Sequence, residues 1–133
     1  MRASWIAMAA IAALSATTTA TVYAAEAGKW IVGAKADVAG VTAAQKQIWG
    51  ANPDRAKIMG MHVVGDYALD VWGEEHICCP SGVFKRVSAQ HWKRVTSSAG
   101  DSPLPVSDIM KSGVPESIAR QLCSGWPKGY GPC

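Results

Sequence analysis

The spacing of apolar residues predicts one helix in the first half of the chain. Apolar side chains recur three and four positions apart, as on one face of a helix, at Val38, Val41, Ala44 and Ile48. Thr42 stands three positions before Gln45, a spacing typical of a capping box, and Gly50 stands where the pattern ends. We therefore expect a helix between Asp37 and Gly50.

Further along, apolar and polar residues alternate in short runs, which predicts strands. Ile58–Val64 and Tyr67–Trp72 flank the dipeptide Gly65-Asp66, and glycine at the first turn position favours a type II′ hairpin. Gly82–Val87 and His91–Thr96 form a second predicted hairpin. Between the hairpins we expect a loop of roughly nine residues that carries the stretch EEHICCPSG.

The C-terminal third predicts two short helices and completes the fold class. The first includes Val106–Met110, and the second begins at Pro115 and closes at Gly125. Residues 25–36 are expected to be an extended or irregular lead-in. We predict an α+β fold in which the N-terminal helix packs on a four-stranded antiparallel β-meander. The two C-terminal helices are expected to cover the same face, leaving the other face to a partner.

The first 24 residues have the pattern of a signal peptide. Arg2 supplies a positive start, Trp5–Ala16 is mostly apolar, and Val22-Tyr23-Ala24 ends with the small residues that a signal peptidase requires. The apolar run is shorter than the roughly 20 residues that a membrane span needs. We predict cleavage after Ala24, a mature single small domain over residues 25–133, and a periplasmic or secreted location in a bacterium.

Charge and motifs argue against nucleic-acid binding and catalysis. The net charge is only +3, and basic residues cluster no further than the pairs Lys85-Arg86 and Lys93-Arg94. The sequence has no G-x-S-x-G, H-E-x-x-H, P-loop or C-x-x-C motif. Its closely spaced acidic residues are expected to be solvated on a hairpin: Asp66, Asp70, Glu74 and Glu75. We predict that the protein is not an enzyme.

All four cysteines lie after the predicted cleavage site. In an exported protein an even number of cysteines predicts disulfides, and adjacent residues seldom bond to each other. Cys78 and Cys79 are therefore each expected to bond to Cys123 or Cys133, with the pairing left open. The alternative is a metal site for copper(I) or zinc, in which His76 joins the two adjacent thiolates.

A second candidate metal site lies in the first predicted strand. Met59 and Met61 project from one face of an extended segment, while His62 points from the other. Paired thioethers suit copper(I) in an oxidising compartment, because methionine is a soft ligand that disulfide formation does not consume. The alternative is that both methionines simply fill gaps in the core.

The order of four segments resembles a family of small exported bacterial proteins associated with copper-uptake systems. The segments are HVVGDYALDVW, GVFKRVSAQHWKRV, AGDSPL and MKSGVPESIARQL, which together cover about Met61 to Leu122. The resemblance implies the α+β meander and a link to copper handling. This chain has Cys78-Cys79-Pro80 where the family has a glycine pair, and Ser97 and Ser98 where the family has a cysteine. A ligand role of that family cysteine is therefore not carried over.

These patterns predict a non-catalytic periplasmic accessory or binding protein linked to copper handling, with Met59, Met61 and His62 as metal ligands. The alternative is a protein-interaction module, such as an inhibitor or immunity protein for an exported enzyme or toxin. Small size, disulfides and a loop stiffened by Cys78-Cys79-Pro80 favour that alternative, because rigid surfaces lose little entropy on binding. Either function implies a partner in the periplasm and no membrane span in the mature protein.

Overall fold

The computed structural model describes residues 22–23, 29–54, 56–74, 77–98, 102–128 and 131–133, with only the backbone at 22, 23, 74, 77 and 78. Its elements, in chain order, are β1 (Val22–Tyr23), β2 (Trp30–Val32), α1 (Lys35–Trp49), β3 (Lys57–Val64), β4 (Tyr67–Glu74), β5 (Ile77–Ser88), β6 (His91–Ser97), α2 (Val106–Lys111) and α3 (Glu116–Leu122). Within these ranges, every helix is too short or too polar to cross a membrane. The predicted leader lies outside the described residues except for β1.

The strands form one mixed sheet in the order β1-β2-β3-β4-β5-β6. Strands β3 to β6 are joined antiparallel, which confirms the meander, but β2 adds a fifth strand parallel to β3 and the two-residue β1 pairs with the edge of β2. Helix α1 makes the crossover that a parallel β2–β3 pair requires. The segment expected to be an extended or irregular lead-in therefore contributes a strand, and the sheet is larger than predicted.

Helices cover both faces of the sheet, so the prediction that they share one face is wrong. Adjacent strand residues point to opposite faces. Ala68 packs in the cluster beneath α1, whereas Leu69 packs in the cluster beneath α2 and α3. The first cluster contains Val41, Met61, Ala68, Phe84 and Trp92. The second contains Leu69, Val83, Leu104, Ile109, Val114, Ala119 and Leu122.

Helix α1 forms where periodicity predicts it, and it starts two residues earlier than expected. Gly50 closes it with a φ of 67°, a left-handed conformation that glycine adopts without strain. The capping-box prediction is wrong, because Thr42 lies in the middle of the helix and its hydroxyl donates to the Val38 carbonyl at 2.7 Å. Arg86 of β5 ties the helix to the sheet through an ion pair with Asp37 at 2.8 Å.

The first hairpin has the predicted turn, but the loop between the hairpins does not form. Gly65 has a φ of 57° while Asp66 does not have a positive φ, as a type II′ turn requires. Strands β4 and β5 pair as far as Glu74 with Ile77, so Cys78-Cys79-Pro80 lies within a strand. Most of the residues expected to form the loop therefore belong to β4 and β5.

The C-terminal arm is fixed by a disulfide between Cys123 and Cys133. This bond makes the predicted bridges from Cys78 and Cys79 to these residues wrong. Cys79 is also disulfide-bonded, and the side chain of Cys78 lies outside the described ones. The arm returns to the end of α3, and the Leu104 amide donates to the Pro132 carbonyl at 2.7 Å. The last residues therefore pack against the segment before α2.

Peptide mapping of the oxidised protein is expected to show the Cys123–Cys133 bond directly. Trypsin cuts after Arg120 and Lys128, so a non-reducing digest should contain Gln121–Lys128 linked to Gly129–Cys133. Reduction before digestion is the control and should release the two peptides separately. A non-reducing digest in which either peptide is linked to Ile58–Lys85 would contradict the observed pairing.

Candidate functional site

The structure separates two of the three predicted copper ligands. Met61 is fully buried in the cluster beneath α1, as the core-packing alternative predicts. His62 faces the other side of the sheet, where its Nδ1 lies 3.3 Å from the Leu122 carbonyl of α3. Met59 lies at a bulge in β3, is half-buried and lines an open groove beside α1. Met61 and His62 therefore cannot share one ion without rearrangement.

His62 belongs to an aromatic cluster that fixes the end of α3. Its ring meets Trp30 edge to face, with centroids 5.4 Å apart, and Trp30 contacts Trp126 at 4.5 Å. The Trp126 indole donates to the Leu122 carbonyl at 2.7 Å. Burial lowers the pKa of His62, and the hydrogen bond to Leu122 offsets part of that effect. The contacts give this histidine a structural role.

The cysteine-rich candidate is only partly described. His76 lies outside the described residues, and Cys79 is half-buried and disulfide-bonded, so its sulfur is not a free thiolate ligand. Among the side chains that the structure describes, no three from His, Cys, Asp and Glu converge on a point that could hold a metal ion.

A groove of about 580 Å³ lies between α1 and the start of β3. This volume lies in the range of small-molecule sites, roughly 300 to 1,000 Å³. The apolar part of its lining consists of Ile31, Trp49, Pro53, Ala56, Ile58 and Met59. Helix α1, the turn after it and strands β2 and β3 all contribute, so the groove is built from fixed elements rather than from one loop.

The polar part of the groove is mainly basic. Its members are Lys29, Thr42, Lys46, Asp54 and Lys57. Lys46 extends from α1 and Lys57 from β3, and both are exposed. Among the exposed charged residues of this lining, Lys46 and Lys57 outnumber Asp54. This combination favours a ligand with an apolar body and a negative charge.

Behind the groove, a chain of hydrogen bonds leads from Trp49 into the core. The side-chain amide of Gln45 can hydrogen-bond to both of its polar neighbours in only one of its two orientations. In that orientation it accepts from Trp49 Nε1 at 2.9 Å and donates to Asp70 Oδ2 at 3.1 Å. The other carboxylate oxygen, Oδ1, accepts from the Gly82 amide at 3.0 Å. Gln45 and Asp70 have no exposed surface.

Asp70 is the most strongly perturbed acid among the described residues. Burial raises the pKa of Asp70 to about 8, although the Gly82 hydrogen bond and the Arg94 charge act in the opposite direction. A side chain at Gly82 would collide with this arrangement, since its Cβ would lie 3.0 Å from Asp70 Oδ1. The expectation that Asp70 is a solvated hairpin acid is wrong.

Trp49 also contacts a second indole at the back of the groove. Its ring meets that of Trp72 edge to face, with centroids 5.7 Å apart. The Trp72 indole nitrogen is buried and finds no acceptor among the described residues. An unpaired buried donor costs free energy, so this group is an exception among buried polar atoms. Trp49 therefore lines the groove, is connected to Asp70 through Gln45, and contacts the ring of Trp72.

Neither the groove nor the buried acid was predicted from the sequence. The lysines of the groove are far apart in sequence, and only the α1 crossover brings them together. Asp70 could have been found by position, because it lies between Ala68 and Trp72 on one face of a strand and Leu69 and Val71 beside it are also apolar.

No family model, no curated protein and no solved structure matches this chain. Its function is therefore inferred from the groove and the buried acid.

Proposed function

We propose that the protein is a non-catalytic, exported binding protein that holds a small amphipathic anion in the groove between α1 and β3. One observation carries the proposal, namely that exposed Lys46 and Lys57 flank an apolar lining centred on Trp49. Such a site provides burial for a hydrocarbon or aromatic body and ion pairing for a carboxylate, sulfonate or phosphate group. The leader predicted over residues 1–24 supports action outside the cytoplasm.

The two parts of the ligand contribute unequally. Exposed ion pairs contribute about 0.2 to 1 kcal/mol each, so the lysines mainly select for charge and orientation. Burial of apolar surface contributes about 25 cal/mol per Å² and supplies most of the affinity. A ligand of drug size that gains about 0.3 kcal/mol per heavy atom would bind with a Kd on the order of 10 µM.

The fluorescent probe 1-anilinonaphthalene-8-sulfonate tests the proposal, because it combines an aromatic body with a permanent negative charge. We expect saturable binding to the oxidised protein, with quenching of tryptophan fluorescence as Trp49 is covered. The double variant Lys46→Gln, Lys57→Gln should bind the probe about three- to tenfold more weakly, because two favourable charges are lost.

Lys93→Gln is the matched control, because Lys93 is an exposed lysine on β6, several strands away from the groove. This variant should bind the probe as the original protein does. Non-saturable binding, or equal affinity in the groove double variant and the control, would refute the proposal.

Copper(I) binding stays a prediction. Met59 is the one predicted thioether that lines open space, so an ion held there would need ligands other than Met61 and His62. The alternative function as an inhibitor or immunity protein also stays a prediction. The structure alters it in one respect, because helices cover both faces of the sheet and a partner would bind a helix surface, a hairpin end or an edge.

A further inference from the structure

A polar path connects the wall of the groove to an ionisable group in the core. The Trp49 side chain lines the groove, and its Nε1 donates to Gln45, which in turn donates to Asp70. Gln45 and Asp70 each have a hydrogen-bond partner on both sides, since Asp70 also accepts from the Gly82 amide. Only two hydrogen bonds thus separate a ligand-contacting indole from a buried carboxyl group.

The groups around Asp70 give little stabilisation to a negative charge on its carboxyl group. Helix α1 contributes the neutral amide of Gln45, and β5 contributes the Gly82 N–H. The β3 residue opposite Asp70 is the apolar Met61. The cationic group that acts on Asp70 is the Arg94 guanidinium of β6, which stabilises the ionised form without forming an ion pair among the described contacts.

We infer that binding of an amphipathic anion in the groove is linked to protonation of Asp70 through the chain of Trp49, Gln45 and Asp70. This inference rests on the proposed function of the groove. The proton comes from solvent and binds a carboxylate oxygen of Asp70, so the core becomes neutral as the anion enters. Gln45 and Trp49 act as positioning residues.

The direction of the linkage follows from charge. An anion beside Trp49 adds negative potential near Asp70, which disfavours a second negative charge in a region of low dielectric constant. The neutral carboxylic acid therefore tolerates the ligand better than the carboxylate does. By reciprocity, the ligand must favour proton uptake by the same factor with which protonation favours the ligand.

The test measures the affinity for 1-anilinonaphthalene-8-sulfonate between pH 6 and pH 9. We expect affinity to fall about fivefold over this range, because Asp70 ionises within it while the sulfonate stays charged. Asp70→Asn should abolish the pH dependence, and Trp49→Phe, which removes the indole donor, should reduce it. Asp108→Asn removes a partly exposed acid on α2 that pairs with Lys111, and it should follow the original protein.

Calorimetry provides a measurement that needs no substitution. Titrations of the original protein at pH 8 in two buffers with different ionisation enthalpies report the protons bound with the probe. We expect an uptake of about 0.4 of a proton per probe molecule, the value that matches a fivefold change in affinity. Saturable, lysine-dependent binding with no proton uptake and no pH dependence would overturn the inference alone, whereas the absence of lysine-dependent binding would overturn the proposed function.

Discussion

The free energy of unfolding is expected to decrease as the pH rises from 5.5 to 9, and Asp70 should account for much of the decrease. Its folded pKa of about 8 lies above the unfolded value of 3.8. The stabilising contribution of the neutral acid is therefore complete below the unfolded pKa and is lost as the pH rises through the folded pKa. A shift of one unit corresponds to about 1.4 kcal/mol, so the total effect is on the order of several kcal/mol.

Urea denaturation at several pH values measures this effect, and Asp70→Asn is the informative variant. The substitution carries its own cost at every pH, because the two donors bind different carboxyl oxygens of Asp70 and the NH2 group of asparagine cannot accept a hydrogen bond. The slope against pH is therefore the quantity to compare, and the variant should show a much shallower one. Asp108→Asn should keep the original slope, and parallel curves for Asp70→Asn and the original protein would contradict the prediction.

Replacing Gly40 with alanine is expected to destabilise the protein by about 1 to 2 kcal/mol, although this change ordinarily stabilises a helix by up to about 1 kcal/mol. Gly40 lies within α1 where the helix crosses β6. A Cβ atom there would lie 2.7 Å from Trp92 Cδ1 and 2.9 Å from the Gln90 carbonyl. Trp92 has little room to move, since the Arg86 guanidinium lies 4.5 Å from the ring centroid on one face.

Thermal or urea denaturation of matched α1 variants measures the effect. Ala43→Gly alters an exposed position in the same helix and should cost about 1 kcal/mol through helix propensity alone. Gly40→Leu should cost more than Gly40→Ala, because overpacking against a well-packed core grows with side-chain volume. A gain in stability for Gly40→Ala would show that α1 can move away from β6 without loss.

Local patterns predicted the elements better than their arrangement. Periodicity identified α1 and the hairpin turn at Gly65 because the residues that determine them are close in sequence. Strand β2 was missed because it has three residues and its parallel partner lies beyond a whole helix. The sequence of β4 does not determine which face of the sheet α2 and α3 cover. Ala68 and Leu69 point to opposite faces and both are apolar, so either face could pack against a helix.

The cysteine pairing and the binding groove required the tertiary structure. Adjacency of Cys78 and Cys79 suggested distant partners, whereas the Gly- and Pro-rich arm turns back on the end of α3 and brings Cys133 to Cys123. The contact between Leu104 and Pro132 that holds this arm has no local sequence signal. Likewise, nothing near Lys46 in sequence indicates that Lys57 lies across a groove from it.

The pairing of β1 with β2 has a consequence for handling the protein. Val22 and Tyr23 lie within the segment predicted to be removed on export, and in the full chain they pair with Val32 and Ile31. Removal of that segment would uncover the backbone donors and acceptors along one side of β2, and exposed strand edges promote edge-to-edge aggregation. Precursor and processed protein should therefore differ in colloidal behaviour at high concentration, even where their core stabilities agree.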